Sequence, residues 1–310
     1  MDLSIVVPLY NEQANVLPLV RAIEDAMASS DLTFEVLLVD DGSSDGTYEV
    51  AAELPREHPQ VRVLRFRRNY GQTAAMAAGI EHARGDVVVT MDGDLQNDPA
   101  DIPSLLQKLD EGYEIVVGWR HDRKDKLFTR KVPSRVANWL IGKVTGVPIK
   151  DNGCSLKAYR ARVIKQIPLY SEMHRFIPAM ASLAGPRIAE IKVRHHPRRF
   201  GTSKYGLSRV YRVLLDLLTV KTVVGFSSRP LTWFMLPAIP ALLLSTGCLT
   251  FSIYEVVALG RELTVPLAGI GLLFAALAFF LMMTGMLGEL VHEVGDNRAE
   301  RMSMLTAEFL

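Results

Sequence analysis

The chain has 310 residues, 49% of them hydrophobic, and its 35 basic and 34 acidic side chains leave a formal charge of +1. That balance lacks the basic excess on which nucleic-acid binding rests. Its two cysteines, Cys154 and Cys248, lie far apart and form no CxxC pair, which argues against a disulfide framework and a thiolate metal site. The opening residues, MDLSIVVPLYNE, carry neither a basic n-region nor a leader-length apolar core, so no secretory signal is expected.

From the N-terminus onward, apolar runs alternate with helical patterns. LSIVVP (3–8), FEVLLVD (34–40), VRVLRF (61–66), DVVVTMD (86–92) and EIVVGW (114–119) read as strands, with helices around 12–29, 46–54, 72–83 and 100–111. Continuous Val, Ile and Leu runs imply strands buried on both faces, and the strand–helix alternation predicts a mostly parallel α/β sheet. There is no GxGxxG and no GxxxxGK[ST], which removes support for dinucleotide folds and P-loop nucleotidases.

Function in such sheets gathers at the carboxyl ends of the strands. Three polar clusters fall there: PLYNE (8–12), DDGSSDGT (40–47) and MDGDLQNDP (91–99). In DDGSSDGT, Ser44, Asp45 and Gly46 read as a turn before an N-capped helix. Asp40 has no such duty, because it is the last residue of an apolar strand. In MDGDLQNDP, Asp98 before Pro99 reads as a helix N-cap and Asp101 as a favourable first-turn acid. The acids left over are Asp92 and Asp94. In extended backbone, side chains at i, i+2 and i+4 share a side, so Asp92, Asp94 and Gln96 would present three oxygen ligands together.

Two segments concentrate positive charge. RHDRKDKLFTRKVPSR (120–135) holds seven basic residues and two acids, and 187–212 holds eight basic residues against Glu190 alone. Anionic headgroups, a lipid phosphate and a diphosphate all suit such surfaces. The adjacent His195 and His196 would face opposite ways on a strand, so they are read as phosphate-side or structural residues rather than as one metal site. Segments 134–145 and 207–225 are amphipathic and are read as interfacial helices.

Near residue 230 the composition changes. No charged residue occurs from Leu231 to Tyr254 or from Leu263 to Gly288. Each run is long enough to cross a hydrocarbon core of about 30 Å, which needs roughly 20 helical residues. The short link from Glu255 to Glu262 makes the pair a transmembrane helical hairpin. Lys221, Arg229, Arg298 and Arg301 flank it on one side and only Arg261 lies in the link, which orients the large N-terminal domain to the cytoplasm. The expected organisation is a catalytic domain over 1–206, an amphipathic linker over 207–229, the hairpin over 230–290 and a cytoplasmic tail over 291–310.

Taken together, PLYNE, VDDGSSDGT, RNYGQ, MDGDLQNDP, DNGCSLKAYR, FGTSKY and the paired C-terminal spans resemble the polyprenyl-phosphate glycosyltransferases. These are inverting family 2 enzymes with a GT-A fold, similar to dolichol-phosphate mannose synthases and undecaprenyl-phosphate aminoarabinose transferases. The resemblance implies that Pro8, Tyr10, Glu12, Asp40 and Gln72 hold the nucleotide sugar. It implies that Asp92 and Asp94 form a DxD motif binding Mg²⁺ or Mn²⁺, with Gln96 as a further ligand. Arg120, Arg130 and Ser134 would hold the acceptor phosphate, with Lys131 and Arg135 leaving the second register open. Arg198, Ser203 and Lys204 would close over the donor diphosphate, and Asp151 would serve as base or acceptor orienter. Since a phosphomonoester has its second pKa near about 6, orientation and charge balance are the expected duties of Asp151.

The expected reaction is transfer of one sugar from a nucleotide donor to a polyprenyl phosphate at the cytoplasmic face of the cell membrane, with a UDP-hexose such as UDP-glucose first and GDP-mannose next. A homo-oligomer is left open. Two other readings are weighed. A processive polysaccharide synthase would carry QxxRW, yet none of Trp119, Trp139 or Trp233 follows an arginine, and it would need more spans. A non-catalytic nucleotide-binding scaffold would have no reason to keep Asp92, Asp94 and Arg198.

Overall fold

The computed structural model describes residues 1–121, 142, 149–167, 169, 173–181, 185–197 and 230–294. These fall into two compact units, one within 1–197 and one over 230–294.

The first unit is built on a seven-stranded sheet of order β3-β2-β1-β4-β6-β5-β7. The strands are β1 (Leu3–Leu9), β2 (Phe34–Asp40), β3 (Val61–Arg65), β4 (Val87–Thr90), β5 (Ile115–Arg120), β6 (Lys157–Arg160) and β7 (Ile188–Val193). The five strands expected from the apolar runs are all present, and each is parallel to its neighbour among β1–β4. Two further strands complete the sheet. β6 inserts antiparallel between β4 and β5, and β7 adds parallel to β5 at the edge.

Every residue of β1 is buried, as a strand covered on both faces requires. One face packs on α1 (Val16–Met27), α2 (Thr47–Glu53) and α4 (Ile102–Asp110) through Leu19, Ile23, Ala51, Leu105 and Leu109. The other packs on α3 (Gln72–His82), α5 (Ala161–Ile164) and α6 (Ile177–Ala181) through Met76, Ile80, Ile164 and Ile177. Strand residues alternate between the two clusters, Ile5 and Val7 to the first and Val6 to the second, which is the period of a pleated strand. Where α3 crosses β1, a Cβ on Gly79 would lie 2.3 Å from Val6 Cγ1, so only glycine allows this approach.

At the amino edge of the sheet a buried carboxylate ties loops together. Glu35 accepts from the Ser4 hydroxyl at 2.6 Å, from Arg62 at 2.7 Å and from the Arg84 backbone N–H at 2.7 Å. The edge opposite the functional clusters is therefore closed by side-chain bonds.

The second unit is an antiparallel pair of long helices, α7 (Pro230–Val257) and α8 (Val265–Val294). Both are long and apolar enough to cross a membrane. Their large side chains point outward, with Leu243 69% and Phe279 67% exposed, while Ala238, Ala241, Ser245 and Ala278 are buried. That arrangement is the inverse of a soluble core helix and matches helices that pack small residues against each other and turn apolar ones to lipid. At the open end of the hairpin Glu289 accepts the Leu231 N–H at 3.0 Å, and near the link Glu255 accepts from the Thr264 hydroxyl at 2.8 Å.

Candidate active site

The three polar clusters lie where the sequence places them, at the carboxyl ends of β1, β2 and β4, and the end of β5 adds Arg120 on the same side of the sheet. β1 and β2 run in register with Leu9 opposite Asp40, which puts Pro8, Tyr10 and Asp40 on neighbouring strand ends. The PLYNE and DDGSSDGT loops interlock there. Asn11, at φ +53°, donates its backbone N–H to Ser43 at 2.9 Å and accepts the Ser44 N–H at 2.8 Å. The Glu12 N–H donates to Thr47 Oγ1 at 2.8 Å, and the Glu12 carboxylate accepts from Asn15 at 2.5 Å.

Asp40 is fully buried. Its Oδ1 accepts the Ser43 N–H at 3.2 Å, while Oδ2 has Arg65 at 3.8 Å and no hydrogen bond. A cleft of about 340 Å³ opens beside it, lined by Gly42, Ser43, Arg65, Phe66 and Arg67. A buried carboxylate oxygen without a donor is costly, and Arg65 at 3.8 Å is the cation that faces this one.

The neighbouring Asp41 was not singled out from the sequence, yet it anchors the next loop. It accepts the backbone N–H groups of Tyr70 and Gly71 at 2.7 and 2.9 Å and the side-chain amide of Asn69 at 2.9 Å. Burial and the adjacent Asp40 charge outweigh these bonds and raise its pKa. The loop it holds begins α3, and Gln72, the first helical residue, donates to Asp92 Oδ1 at 2.6 Å.

The MDGDLQNDP stretch leaves the strand sooner than expected. β4 ends at Thr90, residues 93 and 94 form a turn and Leu95 sits at φ +59°, so Asp92, Asp94 and Gln96 are not on one extended segment. The turn replaces strand alternation as the device that presents the carboxylates. Asp92 retains a partly accessible surface although protein surrounds it on most sides, and this burial, with the Asp94 charge next to it, raises its pKa. Arg120 and Arg175 act in the opposite direction. Gln96 donates its side-chain amide to the His196 carbonyl at 3.4 Å.

A carboxyl whose proton affinity is raised by burial and by a neighbouring carboxylate, as at Asp92, suits a hard cation, which relieves both. Among the described residues no three His, Cys, Asp or Glu side chains converge on one point. Asp92 and Asp94 alone are the acidic side chains that the turn after β4 brings to this point.

Asp98 caps the following turn as expected, accepting the Ala100 N–H at 3.0 Å. Asp101 does more than sit in a first turn: it accepts the Arg194 backbone N–H at 2.6 Å and its side chain at 2.9 Å. His196 contacts Asp98 at 3.1 Å, and Asn97 bridges to His195. The His196 side chain and the His195 backbone thus hold the segment after β7 onto the loop after β4.

At the end of β5, Arg120 donates through Nε and Nη2 to the two oxygens of Asp151 at 2.7 and 2.9 Å, with its backbone N–H adding a third bond at 3.3 Å. The pair is largely buried. Asp151 holds the Arg120 pKa above its ordinary value. Behind it lies a polar cluster that sequence reasoning missed. Lys157, the first residue of β6, donates to the carbonyls of Asn152 and His174 at 3.2 and 3.4 Å. His174 contacts Thr73 Oγ1 through Nδ1 at 2.7 Å. A lysine in a four-residue strand gives no periodic signal, which is why KAYR does not announce itself.

Arg130, Ser134, Arg198, Ser203 and Lys204 lie outside the described residues, as do most of the two amphipathic segments.

The model of the family described as glycosyl transferase family 2 matches residues 4–168. A protein of Rhizobium johnstonii named dodecaprenyl-phosphate galacturonate synthase is 45% identical over 94% of this chain and 88% of its own length. A protein of Salmonella typhimurium named undecaprenyl-phosphate 4-deoxy-4-formamido-L-arabinose transferase is 37% identical over 96% of this chain and 90% of its own. The chain belongs to glycosyltransferase family 2, and the resemblance drawn from its motifs is borne out. Among solved structures, Mycobacterium tuberculosis glucosyl-3-phosphoglycerate synthase with Mn²⁺, UDP and phosphoglyceric acid aligns at a TM-score of 0.57 and 19% identity, covering 72% of this chain and 78% of that one. The same enzyme with UDP aligns at 0.55 and 18%, covering 71% and 80%. These establish a GT-A-like fold for the first unit.

Proposed function

We propose that the protein transfers one sugar from a nucleotide sugar to a polyprenyl phosphate, with inversion, at the cytoplasmic face of a membrane that the hairpin spans. The observation that carries this is that two opposed charge systems gather at the carboxyl ends of the sheet, the acids Asp92 and Asp94 after β4 and the Arg120–Asp151 pair at the end of β5. One system suits a cation on a leaving diphosphate; the other suits an incoming phosphate. The relatives named for dodecaprenyl and undecaprenyl phosphates support the acceptor class.

In this reading Asp92 and Asp94 hold a divalent cation, Mg²⁺ or Mn²⁺, with Gln96 beside them. Bound there, the ion would neutralise charge growing on the nucleoside diphosphate. Asp40 accepts an imino N–H of the base in its cleft, while Pro8, Tyr10 and Glu12 shape the nucleoside end and Gln72 steadies Asp92. Arg120 keeps side-chain N–H groups beyond the two that Asp151 uses, and these meet the acceptor phosphate together with Arg130 and Ser134. Arg198, Ser203 and Lys204 cover the donor. The acceptor phosphate is largely dianionic at neutral pH and attacks the anomeric carbon in line without a base. Asp151 orients Arg120 rather than removing a proton. Catalysis is positioning and electrostatic stabilisation of the leaving group.

The catalytic domain spans 1–206, the interfacial linker 207–229, the hairpin 230–290 and the tail 291–310. The donor is a UDP-hexose; UDP-glucose heads the sequence-based expectation, and the relative named for galacturonate supports widening it to a UDP-hexuronate.

The test is product formation by the full-length protein in detergent, given a short polyprenyl phosphate, Mg²⁺ or Mn²⁺, and a panel of UDP-glucose, UDP-galacturonate, UDP-4-deoxy-4-formamido-L-arabinose and GDP-mannose. One donor should give a lipid-phosphate sugar, with turnover lost on chelation and reduced about 100- to 1000-fold by Asp94→Ala. Full turnover in Asp94→Ala would overturn the site; nucleotide binding without product from any donor would favour a scaffold.

A further inference from the structure

Lys157 is 2% exposed, yet neither of its two hydrogen bonds goes to a carboxylate. It stands in register between Thr90, the last residue of β4, and Val117 of β5. Its ammonium thus sits beneath the point where the DxD loop and the Arg120–Asp151 pair leave the sheet. Burying an ammonium is expensive, and burial brings this one down to about 8. Asp151 and Cys154 favour its charged form; Arg175 and Arg120 oppose it.

The two carbonyls it binds belong to different halves of the site. Asn152 follows Asp151, so that bond fixes the turn presenting Asp151 to Arg120. His174 belongs to the other half. Arg175 Nε donates to His174 Nε2 at 3.4 Å, which makes Nε2 the acceptor and places the imidazole proton on Nδ1, donated to Thr73 at 2.7 Å. Thr73 is the second residue of α3, and its neighbour Gln72 holds Asp92 at 2.6 Å. One continuous chain of contacts therefore runs Asp151–Asn152–Lys157–His174–Thr73–Gln72–Asp92.

We propose that Lys157 is a positioning residue for the transfer reaction: by bridging the Asn152 and His174 carbonyls it sets the distance between the acceptor-side Asp151–Arg120 pair and the cation-side Asp92. It touches no substrate and acts through both neighbours. The proposal rests on the transferase reading above for its catalytic consequence and on the contact chain alone for its structural one.

The experiment compares full-length Lys157→Met, Thr73→Val and the double variant with wild type in detergent. A displacement of about 1 Å between reacting groups costs up to about 100-fold. Each single variant should therefore lose roughly 10- to 100-fold in kcat, with donor KM changed less than about threefold. The double variant should be no worse than the weaker single, because both cut one chain. A kcat within about threefold of wild type in folded Lys157→Met, or losses that multiply in the double variant, overturns the proposal. Thr73→Val carries the test alone if Lys157→Met does not accumulate. If wild type makes no product from any donor, the transferase reading has failed; the positioning claim is then judged by the thermal-stability coupling between Arg120 and Asp151. That coupling should shrink by at least about half in a Lys157→Met or Thr73→Val background, and an unchanged coupling overturns the claim.

Discussion

Arg120 and Asp151 meet as a planar fork on a carboxylate, with both oxygens taken and the pair largely buried. Deleting one partner strands the other charge, at about 3–5 kcal/mol, whereas replacing both with apolar groups is close to neutral. Arg120→Met should therefore lower Tm by on the order of 10 °C. Arg120→Met with Asp151→Leu should recover most of that loss while leaving turnover abolished. Differential scanning fluorimetry in detergent, beside the product assay, separates the two effects.

Asp41 offers a second test, because it holds three N–H groups of the loop that starts α3. Asp41→Ala removes three part-buried hydrogen bonds to a carboxylate, each contributing at most about 1.5–3 kcal/mol. The expected result is a lower Tm together with a raised donor KM, since Gln72 follows that loop and contacts Asp92. An unchanged KM would show that the loop does not reach the donor.

His174 makes stability depend on pH. Burial, then the charges of Arg175 and Lys157, hold its folded pKa well below the ordinary 6.5. Below that value the unfolded chain takes up a proton that the folded chain refuses, so this residue's contribution falls as pH drops, by at most about tenfold in the folding constant per unit. Wild type should lose Tm between pH 7 and pH 5.5, and His174→Gln should lose less over the same interval. Parallel curves would assign the acid sensitivity elsewhere.

Gly79 tests packing rather than chemistry. With Val6 Cγ1 at 2.3 Å from the site of a new Cβ, Gly79→Ala forces α3 away from β1. Overpacking of this kind costs about 1–3 kcal/mol and outweighs alanine's better helix propensity of roughly 1 kcal/mol. Tm should fall, and restoring space with Val6→Ala should return part of it.

Short runs rich in Val, Ile and Leu, such as SIVV and LLV, bounded by turn residues, carried the parallel half of the sheet. That signal failed at β6 and β7. KAYR is too short for a period and begins with a buried lysine, while IAEIKV alternates apolar with polar residues, as an edge strand does. The positions of the candidate residues were legible from type and pattern, since Asp40 does end β2 and Asp92 and Asp94 do follow β4. The extended geometry assumed for 92–96 was not, since the turn at Leu95 depends on pairing with residues 195–196 a hundred positions later. Asp41, Lys157 and His174 act through long-range bonds that no local pattern encodes.

β6 returns beside β5 at the edge where β5 ends, with Lys157 opposite Val117. The chain that leaves β5 at Arg120 is tied back to that residue at Asp151, and the entropy of closing such a neck grows only slowly with the length of chain between its ends. The fold in effect provides a socket. Changes in chain length between Arg120 and Asp151 should therefore leave the pairing of β5 with β6 unmoved, because both ends are fixed by contacts of their own.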